Sequence, residues 1–181
     1  MKKLLCVLLS ALFVLSLASC NKTNGFNKDG WKDMLDAAIK LPTECTRELL
    51  DKVNPPEETD FYIKYYKEEK NQDYLAELAN QFKDITDRYT EDYGADWKLS
   101  YTVLDVQEKD AEGIANYKSY DGYYFRTYGI DTDKIQAVTF VKVNVHMESS
   151  SYTNDKEKTL QCFCIGGVWY SFYGAMLGTK L

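Results

Sequence analysis

The sequence predicts an α+β domain: N-terminal helices packed on a curved antiparallel sheet of about four strands. Three observations carry that expectation. Apolar residues recur at spacings of three and four from Trp31 to Tyr93, the period of a one-sided helix. After Gly94 the period becomes two. From Lys134 onward the alternation is clean, and Gly166-Gly167 sits between two β-rich runs, where a tight hairpin turn needs positive φ.

Each element follows from local chemistry. Trp31, Met34, Leu35, Ala38 and Ile39 share one helical face, with Asp29 placed to cap the start and Pro42 to stop it. A short helix over about Glu44 to Val53 carries Cys45, Leu49 and Val53 on one stripe. In "NPPE", Asn54 suits the cap, Pro55 the first helical position and Glu57 the capping box. Phe61 and Tyr65 then open an apolar face, and Leu75, Leu78, Phe82, Ile85 and Tyr89 form the clearest helical stripe in the chain. One helix from 55 to 93 is too long for a globular domain, so a break is expected at Lys70–Asp73.

"WKLSYTVLDV" reads as a half-buried strand with Trp97, Leu99, Tyr101 and Val103 on one side. Asp110 to Tyr128 reads as a poor helix, weakened by Gly113 and Gly122 and unassigned beyond the second. The run from about Lys134 to Met147 puts Val141, Val143, Val145 and Met147 on one face, and Lys142, Asn144 and His146 on the other. "SSSYTNDKEK" reads as a polar loop before the final hairpin.

The first residues read as an address rather than as fold. Lys2 and Lys3 precede an apolar run, Leu4 to Leu17, of 14 residues. A spanning helix needs about 20. A charged start, a short apolar core and the small residues Ala18 and Ser19 are the parts of a signal peptide. The exit, "LASC", resembles the lipobox of bacterial lipoproteins. That resemblance implies cleavage between Ser19 and Cys20 and diacylation of Cys20. Two acyl chains hold a protein on a bilayer stably, where one does so only marginally. The expected organisation is a signal peptide over 1–19, a lipidated cysteine and polar tether over 20–28, and a single α+β domain over 29–181.

Loss of Lys2 and Lys3 takes the formal charge from −6 to −8. An acidic domain is a poor partner for polyphosphate, and no basic patch stands out, so nucleic acid is not an expected partner. Attachment is expected through the lipid, at the extracytoplasmic face of the cell membrane.

The order of elements, with "YGADWKLSY" (Tyr93–Tyr101), "YGID" (Tyr128–Asp131) and "GGVWY" (Gly166–Tyr170), resembles the nuclear transport factor 2-like (cystatin-like) superfamily. More narrowly, it is similar to small lipoproteins of low-GC Gram-positive bacteria. The resemblance implies a cone-shaped, helix-backed sheet with a pocket at its open end. Its motifs are structural and name no activity.

Residues able to carry chemistry are few. Cys45, Cys162 and Cys164 remain once Cys6 and Cys20 are set aside. They fit buried thiols at a helix–sheet interface; a disulfide from Cys45 to either strand cysteine is the alternative. Metal-type Cys-x2-Cys spacing is absent, and no metal or cofactor is expected. His146 is the sole histidine, Glu148 is its neighbour on the strand, and no G-x-S-x-G surrounds a serine. Asp105, placed by alternation on the face of Tyr101 and Val103, is a candidate carboxylate base. "DTD" (Asp131–Asp133) lacks the rest of a calcium loop and reads as a turn. Tyr101, Tyr124, Trp169 and Tyr170 are candidate pocket or surface aromatics, since tyrosine joins apolar area to a polar tip. The expected function is a non-enzymatic domain binding a small ligand or an envelope protein. The alternative is an isomerase- or cyclase-like enzyme with a buried carboxylate and a tyrosine in the cone.

Overall fold

A computed structural model describes residues 27–179. Ser19, Cys20 and most of the tether lie outside these residues. The described part is α+β: helices packed against a curved, open, four-stranded antiparallel sheet.

Helix α1, Trp31–Lys40, buries Trp31, Met34, Leu35, Ala37 and Ala38. Its N-cap is Gly30 with no side-chain bond, so Asp29 does not cap as expected. Helix α2, Arg47–Val53, begins later than the stripe suggests, because extended Thr46 accepts from the Leu49 N–H at 3.2 Å and fixes the start. Asn54 does not cap the next helix: its own N–H donates to the Leu50 carbonyl at 2.8 Å and closes α2. Helix α3, Pro56–Tyr65, is therefore capped by Pro55, one residue on. That shift moves Glu58, not Glu57, into the third helical position.

The predicted break is present. A π-helical turn, Tyr66–Lys70, ends at Asn71 with φ 53°, and Asp73 then caps α4, Tyr74–Tyr93, accepting from Leu75 at 2.9 Å and Ala76 at 3.1 Å. The cap satisfies N–H groups that the first turn would otherwise leave open. Phe82 and Tyr89 of α4 are buried, with Leu75, Leu78 and Ile85 packed beside them against the core.

Strands β1 (Lys98–Glu108), β2 (Ile135–Glu148), β3 (Thr153–Ile165) and β4 (Val168–Tyr170) lie in that order across the sheet. Gly166 and Gly167, at φ 60° and 85°, make the β3–β4 turn. The segment between β1 and β2 is two helices: α5 (Ala111–Tyr120), capped by Asp110 on Gly113 at 2.8 Å, and α6 (Gly122–Tyr128). Helix thus continues past Gly122, carried by burial of Phe125 rather than by propensity.

The sheet has two differently covered faces. The first carries Val141, Val143, Val145, Leu160, Cys162 and Cys164 and packs against α1, α2 and Phe82. The second carries Ile135, Val138 and Phe163, and only that end of it is covered, by Tyr117 of α5 and Phe125 of α6. Full burial of a side chain such as Phe163 contributes about 1.5–3 kcal/mol before entropy.

The loop expected over Ser149–Lys158 is shorter. Thr153–Lys158 is strand, paired with Val143–Glu148. Polar cross-strand partners hold it: Lys142 with Glu157 at 2.6 Å, and Asn144 donating to Asp155 at 2.6 Å. Lys158 reaches the C-terminal turn, donating to the carbonyls of Leu177 at 2.8 Å, Met176 at 3.2 Å and Thr179.

Candidate functional site

The four candidate aromatics do not converge. Trp169 and Tyr170 are consecutive on β4 and so point to opposite faces. Trp169 is buried in the first-face core, its Nε1 donating to the Asn27 carbonyl at 2.8 Å. Tyr170 lies against Phe163 on the second face. Tyr101, on β1, donates to Asp36 of α1 at 2.7 Å. Tyr124, on α6, accepts from the Tyr173 hydroxyl at 3.1 Å and packs on Phe172 and Tyr128.

Asp105 is not on the face of Tyr101 and Val103. A β-bulge between Val103 and Asp105 advances the register, so Tyr101 pairs with Val145 and Val103 with Val143, but Asp105 pairs with Lys142. The extra residue moves Asp105 to the open polar face, where it is exposed and accepts from Gln107 at 2.9 Å. It is a surface strand residue and not a buried base.

His146 lies on the same open face. Ser100, His146 and Asp155 align across three adjacent strands. The ring Nδ1 is 2.9 Å from Asp155, but Nε2 faces Glu148 at 3.7 Å. The Asp155 bond raises the imidazole pKa, aided by the nearby carboxylate charges and opposed by burial. This row is a charge-paired strand surface without the enclosure a nucleophilic serine needs.

Cys45, Cys162 and Cys164 are free, the two strand thiols fully buried. Burial pushes Cys162 up to about 12, so it stays a thiol and acts as a small apolar filler. Asp131 accepts from Asp133 at 3.0 Å and opens a 3-10 turn, Thr132–Lys134. Among the described residues no group of three or more His, Cys, Asp or Glu side chains is placed to hold a metal.

Two features stand out that the sequence reading missed. The first is an open groove of about 830 Å³ between the end of α1, the outer side of α4 and the start of β1. Ile39, Pro42, Trp97 and Leu99 give it an apolar lining, while Lys40 and Lys98 add positive charge and Lys83 borders it paired with Asp87 at 2.5 Å. The Trp97 ring is fixed by its Nε1 donating to Thr90 at 3.0 Å. No carboxylate or imidazole lines the groove. Lysines at positions 40, 83 and 98 give no local charge run, so only folding assembles them.

The second is Glu58. It is 5% exposed, and its Oε2 has no hydrogen-bond partner. Burial pushes its carboxyl up to about 8. Tyr74 and Tyr128 sense its charge, which adds to the burial that raises both phenols. Tyr62, one turn on from Glu58, stacks on Tyr74 at 5.3 Å and shares a 3.0 Å hydroxyl–hydroxyl bond with Tyr128. Glu58 lies three and four residues before Phe61 and Tyr62, a spacing that could have placed it on the inward stripe.

No protein-family model, curated protein or solved structure matches the chain.

Proposed function

We propose that the protein is a lipid-anchored, extracytoplasmic binding domain of the nuclear transport factor 2-like kind. It holds an elongated, negatively charged ligand in the groove between α1, α4 and β1. One observation carries the reading: the groove pairs an apolar, tryptophan-bearing lining with Lys40 and Lys98, beside the Lys83–Asp87 pair, in a chain of net charge −6, and its lining offers no acid–base pair. Burial raises the pKa of Cys45, its one thiol, so a thiolate nucleophile is disfavoured there. The lipobox supports the anchor, and the helix–strand–helix–meander order supports the family.

A photo-cross-linking residue at Thr86, inside the groove, tests the binding. In intact cells it should form a discrete adduct that the same residue at Thr102, on the open sheet face, does not. Lys40→Glu with Lys98→Glu should abolish that adduct. Equal adducts from both positions would remove the groove from the reading. The anchor has a separate test: Cys20→Ala should block cleavage after Ser19 and acylation, and membrane retention with unchanged processing would refute lipidation.

Glu58 supports a second reading, isomerase- or cyclase-like chemistry with a buried carboxyl and Tyr62 or Tyr128 as hydrogen-bond donor. Held protonated below about pH 8, Glu58 is a proton donor rather than a base at neutral pH. It does not line the groove described above, and a substrate would have to displace the tyrosines that cover it. The groove is the better-supported site.

A further inference from the structure

A cluster of exposed tyrosines marks the corner made by α5, α6 and the segment after β4. Tyr120 is 82% exposed, Tyr123 66% and Tyr173 52%. Tyr123 packs edge-on against Tyr124 at 5.6 Å, Tyr124 meets Tyr173 at 6.2 Å, and Tyr120 is close enough to influence the Tyr173 phenol. Scattered single aromatics on a surface need no explanation, but a contiguous set does. Tyrosine is the side chain suited to a boundary between an apolar and a wet phase, with a ring for one and a hydroxyl for the other.

The position of the tether says which boundary. The first described residue, Asn27, is bound to Trp169 of β4, and Lys28 pairs with Glu108 at 3.2 Å, at the end of β1 from which α5 departs. Lys109 borders both a small cleft shared with Lys28 and Trp169 and the cleft lined by Tyr117 and Tyr120. The described chain thus begins, at Asn27, at the end of the sheet that carries the tyrosine corner. Seven residue steps separate Cys20 from Asn27, which limits their separation to about 25 Å. The β2–β3 hairpin with Tyr152 is at the opposite end of the sheet. The two helices carry charges of both signs, Glu112 in the first turn of α5 and Lys118 and Arg126 in the last turns of α5 and α6, so the contact is tested on zwitterionic lipid, where only the rings can carry it.

We infer that the Tyr120–Tyr123–Tyr173 corner rests on the lipid bilayer, so that the lipid on Cys20 anchors the domain and the tyrosines orient it. This leaves the β2–β3 hairpin pointing away from the membrane. The inference rests on the lipidation of Cys20 proposed above.

The test is enzymatic iodination, whose protein-sized catalyst reaches only exposed tyrosines. The mature lipoprotein, purified in detergent and transferred to preformed zwitterionic phosphatidylcholine vesicles, is compared with its soluble Cys20→Ser form, residue by residue, by mass spectrometry. Labelling of Tyr120 and Tyr123 should fall about tenfold on vesicles, with that of Tyr152 unchanged. In a Y120S/Y123S variant, both positions being solvent-facing, the protein should stay on the vesicles while Tyr173 regains its solution labelling. Vesicle-bound protein with equal labelling at Tyr120 and Tyr152 overturns the docking and leaves the anchor standing. Protein that does not sediment with vesicles at all overturns the anchor, and the docking with it. Protection in intact cells but not on vesicles would assign the corner to a protein partner, and protection of the soluble form at high concentration would assign it to a second copy; either overturns the docking.

Discussion

Glu58 and Asp121 are both buried carboxylates at helix junctions beside tyrosines, and both have one oxygen without a hydrogen-bond partner. They differ in what reaches the carboxyl group. Tyr117, one turn before Asp121 on α5, bonds to it and counters part of the rise that burial causes. For Glu58 the only resolved cause is burial, and its carboxyl is pushed up to about 8. The tyrosines near Glu58 bond elsewhere: Tyr62 and Tyr128 spend their hydroxyls on each other. A ring of tyrosines is therefore not equivalent to solvation. A donor aimed at the carboxyl is what offsets part of the rise that burial causes.

The comparison breaks most sharply at Glu58. Its pKa in the folded chain lies above that of the unfolded chain, so folding retains a proton that unfolding releases. Stability is then highest below the ordinary glutamate range, falls as pH rises through it, and has lost this whole contribution above about pH 8. The full swing is on the order of 4–5 kcal/mol, taken as an upper figure. Glu58→Gln should remove it: urea unfolding at pH 5 and pH 9 should show a steep loss in the parent and a much flatter response in the variant. Parallel responses would mean that Glu58 reaches water.

Asp121 should respond less. Tyr117→Phe removes its donor and is expected to cost about 1–3 kcal/mol. The Asp121 carboxyl should then titrate still higher, extending upward the pH range over which stability falls. Urea midpoints at several pH values between 4 and 7 measure both effects, and an unchanged pH response would separate Tyr117 from Asp121.

The smallest effect belongs to the hydroxyl pair. Tyr128→Phe leaves the Tyr62 hydroxyl half-buried without its partner and should cost about 1 kcal/mol. It should leave the Glu58 titration in place, since neither hydroxyl solvates that group. A Glu58 transition that moved upward by a full unit in this variant would show that the tyrosine pair helps to solvate it after all.

Much of the framework was legible from periodicity. The stripe of α4 and the alternation of Val141, Val143, Val145 and Met147 are local patterns, and each fell on the buried side. The break before Asp73 and the Gly166–Gly167 turn were equally local, set by a polar run and by two residues free to take positive φ. Asp105 was misplaced because alternation assumes an unbroken strand, and one extra residue in β1 reverses every face beyond it. Glu58 was missed because the capping box was assigned one residue early, to Glu57, which left Glu58 without a role. The polar run Thr153–Lys158 read as a loop because its partners are polar residues of another strand, invisible until the two are paired.

By itself the sequence determined the fold class, the order of its elements and most of the faces that meet in the core, because those depend on spacing within a few turns or residues. The tertiary structure alone decided the register around the β1 bulge, the separation of Trp169 from Tyr170 onto opposite faces, the assembly of Lys40, Lys83 and Lys98 around one groove, and the burial of Glu58. Each of these joins residues far apart in the chain or depends on solvent access, and desolvation has no local signature in a string of residues.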